Sequence, residues 1–298
     1  MDDLAVIILN YNTNKLTQDC IRSVLKNTKD IKYEIWVVDN ASTDKSVEEI
    51  KKNFPEINLI ENKENGGFSK GNNLALKKAK VKYYLLLNSD TIVLDNALKN
   101  LVDFAKENNF DIVSCKLLNN DKSFQPNVGN LPKGLSLISW ITGLDDIFNK
   151  FNFNIGTYHL QDEKFYKNGM EVGWVGGTAM LIGSEVIEKI GYLDENIFMY
   201  AEDVDYCWRA QKAGFKVGWT NKAEIIHLGG GSSHSPKFNQ WKGEFKGLLY
   251  IYQKYYGRIF AAFLKLLFYI FIAARALGFL LLGKLNHTKT YVQVFTQI

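Results

Sequence analysis

Apolar residues along the first 115 positions switch between two periodicities, and the switching predicts the architecture. Leu4 to Leu9 is an unbroken apolar run of strand type, and the stretch after it spaces Leu16, Cys20 and Val24 as on one helix face. The same alternation repeats. Strands are predicted at Ile35 to Val38, Ile57 to Ile60, Tyr83 to Leu87 and Ile112 to Cys115, with helices near Lys45 to Asn53, Lys70 to Ala79 and Asn96 to Glu107 between them. Short apolar runs separated by helical periods predict βαβ units, because strands that run parallel need a crossover between them. The expected class is α/β, a mostly parallel sheet flanked by helices.

From Asn119 to Gly169 the rhythm is lost in a stretch rich in Asn, Asp, Lys and Phe, read as an insertion or a substrate-facing segment. It returns with a strand at Ala179 to Ile182, helices at Glu185 to Ile190 and Glu202 to Ala213, a stop at Gly214, and strands near Val217 and Ile225. The chain has no internal repeat and no low-complexity tract.

A third pattern occupies the tail. Arg258 to Leu285 is strongly apolar, yet Lys265, Arg275 and Lys284 leave uncharged runs of only nine and eight residues. A spanning helix needs about 20. Aromatic and leucine faces edged by basic side chains predict amphipathic helices lying in a membrane interface; the alternative is a helix docked on the core or forming a homodimer. Charge sharpens the division. The formal net charge is +4, but residues 237–298 carry nine basic side chains against Glu244 alone. Two parts follow, a catalytic domain over 1–236 and a basic helical tail over 237–298. No nucleic-acid partner is expected.

With 46% hydrophobic residues the chain can fill a sizeable core. Cys20, Cys115 and Cys207 sit among apolar neighbours without paired or metal-type spacing, so they read as buried reduced thiols. The start at Met1-Asp2-Asp3 lacks the basic end of an export signal. Both point to the cytoplasm.

Polar clusters gather just past the ends of predicted parallel strands: Asp39-Asn40-Ala41-Ser42-Thr43-Asp44, Asn65-Gly66-Gly67, and Asn88-Ser89-Asp90. Each alone is ordinary turn and cap chemistry. Their shared edge is where open α/β sheets bind ligands, since strand ends and helix N-termini present unpaired backbone groups together there.

These three clusters, with Gly71-Asn72-Asn73, Trp174-Val175-Gly176-Gly177 and Glu202-Asp203-Val204-Asp205, stand in the order seen in family-2 glycosyltransferases, and the chain most resembles their rhamnosyltransferase-type branch over roughly residues 4 to 230. The resemblance implies a glycosyltransferase A-type fold, a nucleotide-sugar donor, a glycan or lipid-linked acceptor, and work at the inner face of the cell membrane. It implies that Asp39 accepts the N3–H of a uracil or thymine ring, with Asn10, Asn65, Gly67, Asn72 and Asn88 also on the donor side. Asn88-Ser89-Asp90 takes the place of the family's metal-binding Asp-x-Asp. With an amide first, Asp90 carries the protein's charge at a Mn²⁺ or Mg²⁺ ion, and His227 matches a further ligand in some relatives. The competing role for His227 is a satisfied structural side chain.

The resemblance also makes Asp203 the general base of a single inverting displacement. Trp174, Gly176, Gly177 and Glu202 fall on the acceptor side, where Trp174 reads equally as a buried core residue and Glu202 as an acidic helix start. The loop Gly229 to Ser235, with His234 or Lys237, is a candidate cover for the diphosphate. Two other classes compete. A sugar nucleotidyltransferase needs a glycine-rich loop after the first strand, where Asn10-Tyr11-Asn12-Thr13-Asn14 has no glycine. A non-catalytic nucleotide-sugar-binding partner is separated by whether Asp203→Asn abolishes turnover.

Overall fold

The computed structural model describes residues 3–142, 144, 157–229 and 238–298. A central sheet runs β3-β2-β1-β4-β11-β6-β12-β5. Its strands are β1 (Leu4–Asn10), β2 (Tyr33–Asp39), β3 (Asn58–Glu61), β4 (Tyr83–Asn88), β5 (Thr91–Val93), β6 (Ile112–Leu118), β11 (Ala179–Gly183) and β12 (Val217–His227). β1 to β4 pair in parallel, as do β6 and β12, while β11 lies antiparallel between β4 and β6. Four short strands lie outside this path: β7 (Phe124–Gln125) on β6, β9 (Met170–Glu171) on β12, and β8 (Val128–Gly129) paired with β10 (Trp174–Val175).

Helices cover both faces, and the period of two in β1 divides its side chains between them. Leu4, Val6 and Ile8 pack with Cys20, Ile21 and Val24 of α1 (Asn14–Asn27), Ile50 of α2 (Ser46–Asn53) and Leu101 of α4 (Ala97–Asn108). Ala5 and Ile7 point the other way, toward Ala75 and Leu76 of α3 (Gly67–Leu76), Trp140 of α5 (Leu135–Thr142), Val186 of α6 (Ser184–Ile190) and Val204 of α7 (Glu202–Lys212). Burying strands on both faces removes the alternation of polar residues, which is why these strands read as continuous apolar runs.

The structure departs from the sequence reading in three places. Helix α3 starts at Gly67, not Lys70, because Gly66 and Gly67 already turn the chain into the helix. The strands expected near Val217 and Ile225 are one strand, with the register shift between Thr220 and Glu224 producing the apparent gap. In the tail, Lys265 and Arg275 do not interrupt the helix. α8 (Phe238–Tyr256) is followed by α9 (Arg258–Leu281) and α10 (Leu285–Phe295), and the 24 residues of α9, which include an 18-residue window of mean hydropathy 2.0, are long and apolar enough to cross a membrane by length and composition.

The tail shares its core with the sheet. Phe245, Leu248 and Ile251 of α8 and Leu264 and Phe268 of α9 are buried in the same cluster as Ile7 and Leu86. Trp208 of α7 stacks on Tyr255 of α8 at 4.6 Å. The opposite side of α9 stays open, with Ile259 85% and Leu281 79% exposed.

Candidate active site

Sheet register brings the polar clusters to one edge. Asn10 at the end of β1 pairs with Asp39 at the end of β2, and Leu9 pairs with Asn88 at the end of β4. Asn10 is fully buried and donates from Nδ2 to Asp39 Oδ1 at 2.6 Å and Ser42 Oγ at 3.0 Å. The Ser42 N–H donates to Asp39 Oδ2 at 2.9 Å. Asp39 is thus locked in place, and a carboxylate with one bond on each oxygen still has acceptor capacity. Thr13 Oγ1 donates to Asn10 Oδ1 at 2.8 Å and meets Ser89 Oγ at 3.1 Å, which ties the Asp39 loop to the Asn88-Ser89-Asp90 turn.

Asn40 holds the next loop. Its Nδ2 donates to Asn65 Oδ1 and to the Gly67 carbonyl, each at 3.0 Å. Gly67 has φ +73°, and a Cβ there would lie 2.2 Å from the Phe198 carbonyl, so only glycine fits. That contact has a purpose. The Phe68 N–H donates to the Phe198 carbonyl at 2.7 Å and Ser69 Oγ to the Ile197 carbonyl at 2.7 Å, so the start of α3 anchors the loop leading to α7. Asn72 is buried and gives its amide to the Phe68 carbonyl at 2.9 Å, while Asn73 exchanges bonds with Leu193.

Beyond Asp90 the sheet brings in His227, which pairs with Thr91 across β12 and β5. His227 Nε2 lies 3.2 Å from Asp90 Oδ1, and its Nδ1 is 2.6 Å from Gln125 Oε1. Gln125 gives its own Nε2 hydrogen to Asn119 Oδ1 at 2.8 Å, so its oxygen faces the ring and Nδ1 carries the proton. Nε2 is then directed at Asp90. A second partner that fixes the tautomer in this way is what a metal-ligating histidine needs. Among the described residues no group of three or more His, Cys, Asp or Glu side chains forms a metal cluster. The two donors fit a divalent cation only if substrate oxygens or water complete the coordination.

The other wall is built from buried and partly buried acids. Asp203 Oδ2 accepts from the Gly177 N–H at 3.0 Å and Oδ1 from the Val204 N–H at 2.8 Å. Next to Gly177, the Thr178 carbonyl accepts from the Asn88 N–H at 2.9 Å. One hydrogen-bonded line therefore runs from Asp39 through Asn10, Thr13 and Ser89 to Asn88 and on through residues 177–178 to Asp203. Burial pushes the Asp203 carboxyl up, against the two N–H bonds, and the negative charge of Glu244 pushes the same way. Burial and then the Asp203 charge raise Glu202 well above the carboxylate range. Glu202 is 4% exposed and its Oε2 has no hydrogen-bond partner among the described residues. The Tyr200 phenol is raised by burial and then by the charges of Glu202, Glu244 and Asp90, so one ring senses both walls.

The family model described as glycosyl transferase family 2 matches residues 5–170, more than half of the chain. The chain belongs to this family. The low-salt glycan biosynthesis hexosyltransferase Agl10 of Haloferax volcanii is 27% identical over 233 residues, covering 76% of this chain and 67% of the relative. The Escherichia coli rhamnosyltransferase WbbL is 25% identical over 221 residues, covering 70% and 79%. Among solved structures, Staphylococcus aureus TarS aligns with a TM-score of 0.53 at 16% identity, covering 91% of this chain and 43% of that one. GalNAc-T7, solved with UDP, GalNAc and Mn²⁺, aligns with a TM-score of 0.56 at 14% identity, covering 76% and 43%. At such identities the structures show the shared A-type fold alone. This chain spans less than half the length of either.

In this family-2 glycosyltransferase the structure draws Asn10, Asp39, Asn65, Gly67, Asn88, Asp90, His227, Gly176, Gly177, Glu202 and Asp203 to one edge. Gly176 lies beside Asp203, whose Oδ2 is 3.9 Å from where the glycine's Cβ would stand. Trp174 is placed among buried aromatics. It is 6% exposed, donates Nε1 to the Tyr158 carbonyl at 2.9 Å, and turns its ring edge-on to His159 at 5.1 Å. Glycines 230 and 231, His234 and Lys237 lie outside the described residues.

Sequence reasoning missed Gln125, Tyr200, His159 and Glu244. Gln125 and His159 sit in the stretch without periodicity, and Tyr200 has no pattern around it. Glu244 carried a signal, being the single acid in a basic tail.

Proposed function

We propose that this glycosyltransferase moves a sugar, by its relatives rhamnose or another hexose, from a dTDP- or UDP-linked donor to a glycan or lipid-linked acceptor of a cell-surface polysaccharide. The observation that carries the reading is the continuous hydrogen-bonded line joining Asp39, the Asp90 turn and Asp203. It spans what such a reaction requires: a pyrimidine reader, a diphosphate site and a base.

Asp39 accepts the ring N3–H that uracil and thymine have and cytosine lacks. Asp203 takes the proton of the attacking hydroxyl, the acceptor oxygen bonds to the anomeric carbon, and the bond from that carbon to the diphosphate oxygen breaks on the opposite side. One displacement inverts the centre. Its raised proton affinity suits Asp203 to the task, since a carboxylate of ordinary pKa is a poor base. Asp90 and His227 would hold a divalent cation, which when bound neutralises the charge growing on the departing nucleotide.

The exposed apolar side of α9, with Arg258, Lys265 and Arg275 on the same helix, suits an anionic membrane surface at the cytoplasmic side, where a lipid-linked acceptor is presented. Co-sedimentation of the full chain with anionic but not neutral vesicles is the expected result; equal sedimentation with neither ends this part of the reading. The donor is tested by thermal shift with dTDP-rhamnose, UDP-glucose and a CDP-sugar, with and without Mn²⁺. A thymidine or uridine donor raises the melting temperature because it binds only the folded state. A flat panel, or equal stabilisation by the cytidine compound, refutes the assignment of Asp39.

A further inference from the structure

The chain enters α7 through a strained turn. Tyr200 and Ala201, the two residues before Glu202-Asp203, both have φ 71°. A left-handed non-glycine residue costs about 1–2 kcal/mol, so two in succession persist only where neighbours hold them. The neighbour here is the tail. Gly243 and Gly247, one turn apart on α8, face this turn so closely that a Cβ on Gly243 would lie 2.5 Å from Tyr200 Cδ2 and 2.9 Å from the Met199 carbonyl. On Gly247 it would lie 2.6 Å from Ala201 Cβ and 2.7 Å from the Tyr200 carbonyl.

Farther along α8, Lys254 Nζ reaches Asp194 Oδ2 at 2.7 Å and the fully buried Asp205 Oδ1 at 2.8 Å, on either side of the same turn. The helix is clamped to α7 at both ends. Between the glycines, Glu244 is 7% exposed, and its Oε1 lies 2.6 Å from His159 Nε2. His159 in turn stands edge-on to Trp174 and Tyr158. The charges of Glu244 and His159 both act on Asp203.

We propose that Glu244, seated by Gly243 and Gly247 and paired with His159, is a positioning residue that sets the place and charge environment of Asp203, so that the first tail helix is a working part of the active site. This rests on Asp203 being the base. Among the described residues, the titratable groups electrostatically coupled to Asp203 include Glu202 and Cys207 on its own helix, Glu244 from α8, and His159 and Tyr158 from the segment before β9. Removing the Glu244 charge therefore eases ionisation of Asp203.

The test uses the full chain and the release of nucleoside diphosphate from dTDP-rhamnose and from UDP-glucose, with water as the acceptor. Glu244→Ala is expected to lower kcat about tenfold with donor KM within about twofold, and to move the acid limb of the rate profile to lower pH. Glu244→Gln, which keeps the shape and a hydrogen bond to His159, is expected to move the limb likewise while holding kcat within about threefold. Gln also guards against a variant that merely fails to fold, since its nucleotide-induced thermal shift reports an intact fold. An unmoved acid limb with wild-type kcat in both variants overturns the proposal, as does a loss of kcat matched by an equal loss of nucleotide binding. Asp203→Asn run in parallel separates the two levels: wild-type turnover there overturns the base assignment and this inference together, whereas its inactivity beside a wild-type-like Glu244→Ala overturns this inference alone.

Discussion

The two walls of the cleft are built from different materials. The wall proposed for the donor, from Asn10 to Asp90, is made of amides, hydroxyls, close backbone and the carboxylates of Asp39 and Asp90 on consecutive βα turns, linked by hydrogen bonds. The wall proposed for the acceptor gathers acids from two distant segments, the buried Glu202 and partly buried Asp203 on α7 and the buried Glu244 on α8, with His159 paired to Glu244. A wall cross-linked by hydrogen bonds keeps its shape. A wall of buried carboxylates stores unfavourable desolvation, which is how a base is made strong at neutral pH. Under the proposed roles the contrast is a division of labour, affinity on one side and turnover on the other.

The largest effect expected from that division is on Asp203→Asn. It should lower kcat by about 10²–10⁴-fold, the usual contribution of a positioned base, while nucleotide affinity by calorimetry stays within about twofold. A matched loss of affinity would mean that the walls are not separable.

Gly67→Ala probes where they meet. Its Cβ would collide with the Phe198 carbonyl on the loop that leads into α7, although Gly67 itself belongs to the donor wall. Both the left-handed backbone and the collision oppose it, so stability should fall by about 2 kcal/mol or more, with nucleotide binding and turnover declining together. Chemical denaturation and calorimetry would show it; a variant that loses only affinity would place the junction elsewhere.

The smallest effect concerns the clamp. Burial disfavours ionisation of Asp194, but hydrogen bonds from Lys254, Asn196 and Tyr250 outweigh it and hold the carboxyl well below the usual range. A depressed carboxylate stabilises the fold fully above its unfolded pKa, near 3.9, and that contribution is lost progressively as pH falls from there through the depressed folded value. Asp194→Asn should therefore lower the melting temperature by a few degrees at neutral pH, on the order of 1 kcal/mol for a partly exposed pair, and the gap to the parent should narrow as pH falls below about 4. A gap that persists unchanged at pH 3 would show that packing rather than charge holds α8 to α7.

The donor wall was legible in the sequence because its parts are local. Asp39, Asn65 and Asp90 each follow a strand directly, so a correct reading of periodicity sets them on one edge. The family motifs gave Asp203 its expected role, but not its neighbours. Gln125, His159 and Tyr200 lie where no repeat of apolar positions predicts an element, and their partners, His227, Glu244 and Gly243, are up to 102 residues away.

The amino-acid sequence by itself determined the α/β order, the buried strands and the family, since periods of two and 3.6 and short motifs are properties of neighbouring residues. Only the tertiary structure decided that α9 is one continuous helix and that α8 brings Glu244 to His159. The physical reason is that burial and close packing arise between distant segments: two glycines in a helix look like weak points in a sequence, and become a seat only when a strained turn lies 3 Å away.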